Sequence, residues 1–201
     1  MVSMTTLQIL DFLSTFAFAM VGARVAATKN MDYGGIAFVA SVTALTGGTF
    51  RNLVLQIRPA WLEDSYLLIA VLIAVVLTIV FKSTKPVGKF ILVLDSISLG
   101  IAVVAAVDLA MEYKLGLFGS VVLGALSAIL GGLVRDVLCQ IPPILLHRET
   151  IGTACLLGAW LCAALYQTEI SSLARALISG GLVVFVRLIS VKYRINLPKI
   201  K

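Results

Sequence analysis

Two stretches of the chain share one polar pattern: TALTGGTFRNLVLQIRP at residues 43–59 and SAILGGLVRDVLCQIPP at residues 127–143. Identical residues recur at a fixed offset of 84 positions, as in the pairs Gly47/Gly131, Gly48/Gly132, Arg51/Arg135, Gln56/Gln140, Ile57/Ile141 and Pro59/Pro143. Without a gap, the same offset pairs Asp11 with Asp95, Ser14 with Ser98 and Gly35 with Gly119. Charged residues are rare in apolar segments, so their agreement at one offset indicates an internal duplication.

The composition indicates that lipid, rather than water, surrounds much of the chain. Of its 201 residues, 60% are hydrophobic and 13% are charged, whereas soluble domains are about 45–50% apolar and about 25% charged. The length allows one membrane domain over residues 1–201 and no separate soluble domain. The net charge of +6 is scattered over short loops and the tail, which excludes nucleic acid as a partner.

Seven apolar segments are long enough to cross a bilayer, which requires about 20 helical residues. They cover residues 6–27, 34–56, 65–82, 89–111, 116–139, 149–166 and 171–192. The sequence therefore predicts an all-α integral membrane protein with seven transmembrane helices.

The duplication predicts how these helices are arranged. Repeat 1 covers about residues 6–82 and repeat 2 about residues 89–166, with an extra helix at 171–192. Because each repeat holds three helices, an odd number, the second copy must enter the membrane from the opposite side. The expected architecture is an inverted repeat, as in transporters whose sites lie where corresponding interrupted helices meet.

Basic residues predict the orientation, because cytoplasmic loops are enriched in lysine and arginine. One side of the predicted membrane holds Lys29, Lys82, Lys85, Lys89, Arg148 and the tail residues Lys192, Arg194, Lys199 and Lys201. The other side holds mainly Arg58 and Lys114 among acidic residues. We therefore expect the N-terminus outside the cell and the C-terminus in the cytoplasm.

The paired glycines Gly47, Gly48, Gly131 and Gly132 are expected to kink the second and fifth helices. Two adjacent glycines in a helix interior cost about 2 kcal/mol relative to alanine, and such pairs are a common cause of kinks. A kink would expose backbone carbonyls to a permeant cation. The alternative is that the glycines serve close helix packing.

Arg51 and Arg135 follow the glycines by one helical turn, and Asn52 and Asp136 follow directly. A buried arginine is costly in lipid and should face protein or water. Asp136 is a natural partner for Arg51 across the predicted two-fold axis. The arginines are candidates for a positive ring or a gate in a polar path, and a purely structural salt bridge is the alternative.

Further polar candidates lie on the same helices. Asp11 and Asp95 are each followed after three residues by a serine on the same helix face, Ser14 or Ser98. These carboxylates would either attract cations at a pore mouth or tie neighbouring helices together. The hydroxyls of Thr43 and Thr46 near the first glycine pair can hydrate a path, or bond to the preceding helical turn.

Motifs typical of enzymes are absent from the sequence. It contains no metal-ligand cluster, no Ser/His/Asp arrangement, no phosphate-binding loop and no CxxC. Paired carboxylates suitable for acid–base chemistry are not apparent. An enzyme, a metal site and a bound cofactor are therefore not expected.

The paired GG-x-x-R-[ND] segments, in the second and fifth of seven spans, resemble those of the prokaryotic trimeric intracellular cation (TRIC) channels. The same bacterial family is also labelled a glycine-transporter domain. The resemblance covers nearly the whole chain. It implies a homotrimer in a prokaryotic cell membrane, in contact with membrane lipids, with one path for monovalent cations (potassium and sodium) through each subunit.

For the site, the resemblance implies that the kinked second and fifth helices line the path, with Gly47, Gly48, Gly131 and Gly132 at the kinks and Arg51 and Arg135 as its basic residues. Two other functions stay open. One is a secondary transporter of a small zwitterion such as glycine, and the other is a membrane scaffold with structural polar pairs.

Overall fold

The computed structural model describes residues 6–63, 65–81, 88–142 and 151–193, and the regular structure in these ranges is helical. The helices are α1 (Thr6–Thr28), α2 (Tyr33–Val54), α3 (Ala60–Glu63), α4 (Tyr66–Val80), α5 (Lys89–Glu112), α6 (Leu117–Leu138), α7 (Ile151–Tyr166) and α8 (Ser172–Tyr193). The predicted second and fifth spans are α2 and α6. The basic residues Lys82, Lys85, Arg148, Arg194, Lys199 and Lys201 and the matched Pro143 lie outside the described residues.

The helices have the length and composition of membrane spans. Five of them, α1, α2, α5, α6 and α8, are long and apolar enough to cross a membrane. The apolar helices α4 and α7 have 15 and 16 residues, and the third and sixth predicted spans continue from them into residues that are not described. Large apolar side chains are exposed on the outer surface, such as Leu72 at 62%, Phe118 at 77% and Phe185 at 62%. These side chains face lipid, and the chain is a multi-pass membrane protein.

Helix ends recur at the offset found in the sequence. The helices α2 and α6 both contain 22 residues, and their bounds are 84 positions apart. Two residues beyond the end of each helix lies a glutamine with a positive φ, 58° at Gln56 and 50° at Gln140. The following residue, Ile57 or Ile141, donates its N–H to a carbonyl five residues earlier, as in a Schellman cap. The matching glutamines and isoleucines therefore mark helix ends.

Each half of the chain forms a three-helix cluster, and the two clusters pack together. In the first cluster α1, α2 and α4 contact one another, and in the second α5, α6 and α7 do so. The clusters meet where α1 packs on α5 and α2 packs on α6, while α8 packs on α5 and α7. Small and β-branched side chains fill the interior, for example the fully buried Ala19, Ala40, Val103, Val104 and Ala128. Such residues let helices approach closely in a membrane.

The crossing of α2 and α6 is made of two matched contacts. A Cβ atom added at Gly47 would collide with the carbonyl oxygen of Ser127, and one added at Gly131 would collide with the carbonyl oxygen of Thr43. Thr43 and Ser127 are themselves 84 positions apart. Residue 43 of α2 contacts residue 131 of α6, and residue 47 of α2 contacts residue 127 of α6. The two helices therefore run in opposite directions where they cross.

Candidate functional site

The two glycines of each pair have different environments. The first of each pair, Gly47 or Gly131, packs against the backbone of the opposite helix, which is the packing role that the sequence left as an alternative. The second of each pair faces open space. A Cβ atom at Gly48 would have no neighbour within 4 Å, and one at Gly132 would meet only an Nη2 atom of Arg135 at 3.8 Å.

The glycine pairs do not interrupt the helices that carry them. Both α2 and α6 continue as single α-helices through their glycine pairs. The carbonyl oxygen of Gly47 accepts a hydrogen bond from the hydroxyl of Ser127 at 2.7 Å. That carbonyl therefore stays paired within the protein. A kink of α2 and α6 at their glycine pairs, with the helices continuous, stays a prediction.

Arg51 forms a bidentate ion pair with Asp11 of α1. Its Nη1 and Nη2 atoms donate to Oδ1 and Oδ2 of Asp11, each at 2.9 Å. Its Nε donates to the side-chain oxygen of Asn52 at 3.0 Å, and the Asn52 amide donates to the carbonyl oxygen of Arg58 at 2.8 Å. The side chains of Arg51 and Asp11 are 4% and 13% exposed, so this pair is buried and ties α2 to α1.

Arg135 repeats this arrangement in the second half and has an additional acidic partner. Its Nη1 donates to Oδ1 of Asp95 on α5 at 2.9 Å, as Arg51 does to Asp11. Where the first half has the neutral Asn52, the second has Asp136, which accepts from Nε and Nη2 of Arg135 at 2.9 and 2.8 Å. The ion-paired group around Arg135 therefore holds one more carboxylate than the group around Arg51.

The predicted pairing of Arg51 with Asp136 across the two halves is wrong. Each arginine binds the aspartate that lies 40 residues before it in its own half, Asp11 or Asp95. The reason is geometric, because within each half the first helix packs directly against the helix that carries the arginine. Asp136 instead binds its sequence neighbour Arg135.

A cavity of about 40 Å³, which we name chamber 1, lies beside α1 and α2. Its lining includes Asp11, Ser14, Phe18, Thr43, Gly48, Thr49, Arg51, Trp61, Ala102, Ser127 and Gly131. Trp61 on the short helix α3 lies at this cavity and donates its indole N–H to the hydroxyl of Thr49 at 3.0 Å. Asp11 and Arg51 also line a wider opening of about 340 Å³, which we name the vestibule. The Asp11–Arg51 ion pair therefore borders both chamber 1 and the vestibule.

A second cavity of about 20 Å³, chamber 2, contains the matched residues of the second half. Its lining includes Phe18, Asp95, Leu99, Ile129, Gly132, Leu133, Arg135, Asp136, Ile151 and Arg187. Asp95, Gly132 and Arg135 correspond to Asp11, Gly48 and Arg51 of chamber 1 at the offset of 84. Phe18 lines both chambers, so its ring lies between them.

The hydroxyl candidates bond to their own helices. Ser14 donates to the carbonyl oxygen of Asp11 at 3.1 Å, and Ser98 donates to that of Asp95 at 2.8 Å. Thr43 and Thr46 donate to the carbonyl oxygens of Val39 and Val42, each at 2.6 Å. Ser14 and Thr43 line chamber 1, whereas Thr46 is not among the residues that line the three cavities.

Two functional candidates on α8, Arg175 and Arg187, were missed by the sequence analysis. Arg175 donates through Nε and Nη2 to both oxygens of Asp108, at 2.9 and 3.0 Å. Arg187 is 1% exposed and places Nη2 3.7 Å from Oδ2 of Asp95. Because α8 has no copy in the duplication, the fixed offset could not reveal these residues. The sequence feature that could have revealed them is the presence of two arginines inside one apolar segment.

Within the part of the chain that the structure describes, no group of three or more His, Cys, Asp or Glu residues is arranged to hold a metal ion. The charged side chains of the two chambers are instead paired with each other. The arrangement provides polar cavities with balanced charges inside an apolar helix bundle. Such an arrangement can hydrate a passing ion or small polar solute.

A family model described as "Glycine transporter" matches the chain twice, over residues 8–83 and 92–167. The two matched ranges are themselves offset by 84 positions. Among curated proteins, the inner membrane protein YadS of Escherichia coli K12 is 32% identical over 193 residues, which cover 94% of this chain and 93% of YadS. A membrane protein of Vibrio cholerae is also 32% identical, over 96% of this chain and 82% of its own length.

Three solved structures that are similar in fold are those of TRIC channels. The orthologue of the TRIC trimeric intracellular cation channel from Rhodobacter sphaeroides superimposes with a TM-score of 0.86 at 30% identity, over 96% of this chain and all of the other. A TRIC cation channel studied for the structural basis of its conductance has a TM-score of 0.84 at 29% identity, over 98% of each chain. A prokaryotic TRIC channel in 0.5 M KCl has a TM-score of 0.84 at 26% identity.

Proposed function

Because the chain belongs to the TRIC channel family, which the glycine-transporter model also describes, we propose that it conducts cations through a path within each subunit. The observation that carries this proposal is the row of cavities along α2 and α6. The vestibule borders the Asp11–Arg51 pair, chamber 1 follows it, and Phe18 separates chamber 1 from chamber 2.

The charge balance of the chambers supports cation passage. Two unpaired arginines in a path would repel cations, since charges interact strongly in a low dielectric. Here each arginine is matched by a carboxylate, Arg51 by Asp11 and Arg135 by Asp95. The polar lining of chamber 1 also includes the hydroxyls of Thr43 and Thr49. We therefore assign to Arg51, Asn52, Arg135 and Asp136 a role in setting the field and in gating.

We propose an inverted repeat of residues 6–82 and 89–166, with 171–192 as an added seventh helix and residues 1–201 as one domain. The reciprocal contacts Gly47–Ser127 and Gly131–Thr43 support a two-fold axis that passes between α2 and α6. The helices α2 and α6 run in opposite directions, as a two-fold axis in the membrane plane requires. The matched glycines would then lie at the centre of the path, where α2 and α6 line it.

The remaining assignments extend the proposal to the assembled protein. We assign potassium and sodium as permeant ions, a homotrimer as the functional unit, and surrounding lipid as the partner of its apolar surface. The location is the cell membrane of a prokaryote, with the N-terminus outside and the C-terminus in the cytoplasm. The chain is not an enzyme, because its structural neighbours are channels.

A glycine transporter is the second candidate, favoured by the description of the family model. Such a protein would need a cationic group for the carboxylate of glycine. The geometry disfavours Arg51 for this role, because both of its terminal nitrogens already bind Asp11. A transporter mechanism would therefore require this ion pair to open in every cycle.

Planar-bilayer recording of the purified protein separates the candidates. A channel gives unitary potassium currents, whereas a transporter gives no unitary currents and saturable glycine uptake in vesicles. Absence of both activities would favour a scaffold.

A matched pair of glycine variants locates the path. Leucine at Gly48 would project into chamber 1, so Gly48→Leu should reduce the unit conductance. Gly181 on α8 also has no neighbour within 4 Å of an added Cβ, but it is exposed on the outer surface. Gly181→Leu should leave the conductance unchanged. Equal conductance of the two variants would contradict the assignment of chamber 1 to the path.

A further inference from the structure

The short helix α3 borders both the vestibule and chamber 1. Ala60 lines both cavities, Trp61 lines chamber 1, and Glu63 lines the vestibule. The vestibule has a volume of about 340 Å³, whereas chamber 1 has about 40 Å³, which is room for only a few water molecules. The space available to an ion therefore falls sharply from one side of α3 to the other.

Trp61 carries the bulkiest side chain that lines chamber 1, and a hydrogen bond holds its ring there. The indole N–H donates to the hydroxyl of Thr49 on α2 at 3.0 Å, and the same hydroxyl donates to the carbonyl oxygen of Leu45 at 2.7 Å. A tryptophan that only anchors a helix end at the membrane surface keeps its N–H in contact with water or lipid headgroups. The N–H of Trp61 is instead bonded at the wall of chamber 1, so the ring has a defined position beside the cavity.

The second half of the chain differs at both ends of this hydrogen bond. At the offset of 84, Thr49 is matched by Leu133 and Trp61 by Leu145, and leucine side chains have neither a donor nor an acceptor. Leu133 lines chamber 2, while Leu145 lies outside the described residues. The donor and the acceptor thus occur together in the half whose α3 borders the vestibule, as expected for two side chains that act as one unit.

We propose that Trp61, held by Thr49, determines which cations pass from the vestibule into chamber 1, so that ions of the size of potassium enter and organic cations such as tetramethylammonium are excluded. This inference rests on the proposed channel function. Selection in a narrow passage depends on its width and on the polar groups along it. Both classes of cation carry one positive charge, so the charges of Asp11 and Arg51 do not distinguish them. The indole ring distinguishes them by size.

Thiol modification tests this selection without requiring any current. The reporter Ser14→Cys places a thiol at a buried position that lines chamber 1, and Leu7→Cys places one in the vestibule. The probes are Ag⁺, which is similar in size to potassium, and a trimethylammonium methanethiosulfonate, each added to the purified protein in detergent. The native cysteines are buried, and protein without a reporter measures their background.

The two probes should respond differently to Trp61. With Trp61 in place, Ag⁺ should react with both reporters, whereas the trimethylammonium reagent should react readily only at Leu7→Cys. Trp61→Ala should raise the rate of that reagent at Ser14→Cys by about tenfold or more, since even one methylene is worth about that factor in a tight pocket. The matched control is Trp160→Ala on α7, which should change neither rate because Trp160 is 56% exposed on the outer surface. Equal reagent rates at Ser14→Cys with and without Trp61 would overturn the proposal, as would a Ser14→Cys thiol that Ag⁺ does not reach.

Milder variants cover the case in which Trp61→Ala fails to fold. Trp61→Phe removes the indole N–H and keeps an aromatic ring, while Thr49→Val removes the hydroxyl at nearly the same volume. Each should raise the rate of the trimethylammonium reagent at Ser14→Cys. The double variant should raise it no further than the larger of the two, because both changes remove the same hydrogen bond. Effects that multiply would show that Thr49 does not hold the ring, and the proposed role of the pair would be rejected.

Current recording separates this inference from the channel proposal. Chamber 2 has a volume of about 20 Å³, so tetramethylammonium that enters chamber 1 should stop there. Added on the vestibule side, it should therefore block potassium current through Trp61→Ala far more strongly than through the unmodified protein or Trp160→Ala. If the unmodified protein conducts and Trp61→Ala changes neither block nor thiol access, selection by Trp61 is refuted and the channel stands. If Trp61 controls thiol access in a protein that carries no unitary current, the channel proposal fails while the control of access by Trp61 stands.

Discussion

Asp11 and Arg51 are joined by two hydrogen bonds of 2.9 Å each, and this ion pair borders both the vestibule and chamber 1. The two residues are 40 positions apart in the sequence, as are their matched counterparts Asp95 and Arg135. Each pair ties the first helix of a half to the helix that carries the glycines. The same residues thus hold the bundle together and set the charge in the proposed path.

Loss of the Asp11 carboxylate should affect both stability and conduction. In Asp11→Asn, the guanidinium of Arg51 would stay buried without its charge partner, and breaking a buried pair in this way costs about 3–5 kcal/mol. The uncompensated positive charge should also lower the unit conductance for potassium. Thermal unfolding in one detergent and bilayer recording provide the two measurements.

Asp32 supplies the control for Asp11. Asp32 is exposed and caps α2 by accepting from the backbone N–H of Gly35 at 2.7 Å, and asparagine caps helices about as well as aspartate. Asp32→Asn therefore removes one carboxylate without opening a buried ion pair. If both variants reduce conductance equally, the effect belongs to the total charge of the protein and not to the path.

The two glycines of a pair should respond oppositely to alanine. In Gly47→Ala, the new methyl group collides with the carbonyl oxygen of Ser127, and overpacking of this kind costs about 1–3 kcal/mol. Gly48→Ala meets open space and should be neutral or stabilising, since alanine is the better helix former by about 1 kcal/mol. Unfolding midpoints of the two purified variants in the same detergent check this order.

The duplication extends the test to the second half of the chain. Gly131→Ala should lower the unfolding midpoint, because its methyl group meets the carbonyl oxygen of Thr43. Gly132→Ala should lower it less. A reversed order in either half would show that the α2–α6 crossing does not depend on these contacts.

Periodicity and a fixed offset were sufficient to predict the long helices. The predicted spans 34–56 and 116–139 differ by at most two residues at each end from α2 and α6. The helix α3 was missed because four residues are too few to give an apolar period. The sequence also did not reveal the hydrogen bond that Trp61 of this helix donates to Thr49.

Contacts between helices limited the prediction of the site. The sequence identified both members of the Asp11–Arg51 and Asp95–Arg135 ion pairs, yet the choice of Asp11 rather than Asp136 for Arg51 depends on which helices pack together. Adjacent residues on a helix point about 100° apart, so helix rotation decides that Gly47 packs and Gly48 stays open. No pattern in a single sequence indicates either the choice of ion-pair partner or the different environments of the two glycines.

Phe18 should limit passage between the two chambers. Its side chain is 5% exposed and lines both cavities, while its matched residue in the second half, Ala102, has a small side chain that lines chamber 1. In Phe18→Ala, the chambers should join and the unit conductance should rise. The stability cost of such a truncation is about 3–5 kcal/mol, so Phe18→Leu is a milder variant for the same recording.

The matched control for Phe18 is Phe118 on α6, which is 77% exposed on the outer surface. Phe118→Ala should leave the conductance unchanged, because its ring faces lipid and lines none of the cavities in the described part of the chain. A rise in conductance for Phe118→Ala, or none for Phe18→Ala, would argue that the ring of Phe18 does not separate the chambers.

Asp108 and Arg175 should be energetically coupled. Breaking this pair by Asp108→Asn or Arg175→Gln leaves one charge without its partner in a partly buried site, where the carboxylate and guanidinium are 14% and 7% exposed. Each single variant should therefore lower the unfolding midpoint, and the double variant should cost less than the sum of the two. Additive losses would indicate that the two side chains act independently in holding α8.

The strongest prediction on architecture concerns four exposed turn residues. Asn30 and Lys114 are matched at the offset of 84, as are Gln56 and Gln140, and all four have positive φ values at helix ends. An inverted repeat requires the members of each matched pair to lie on opposite sides of the membrane, because each half crosses it an odd number of times. Cysteines at these positions, labelled in intact cells by a reagent that does not cross the membrane, should react at Gln56→Cys and Lys114→Cys. Asn30→Cys and Gln140→Cys should react only after the cells are opened. Labelling of Gln56→Cys and Gln140→Cys from the same side would refute the inverted arrangement, and the shared path between α2 and α6 would have to be abandoned with it.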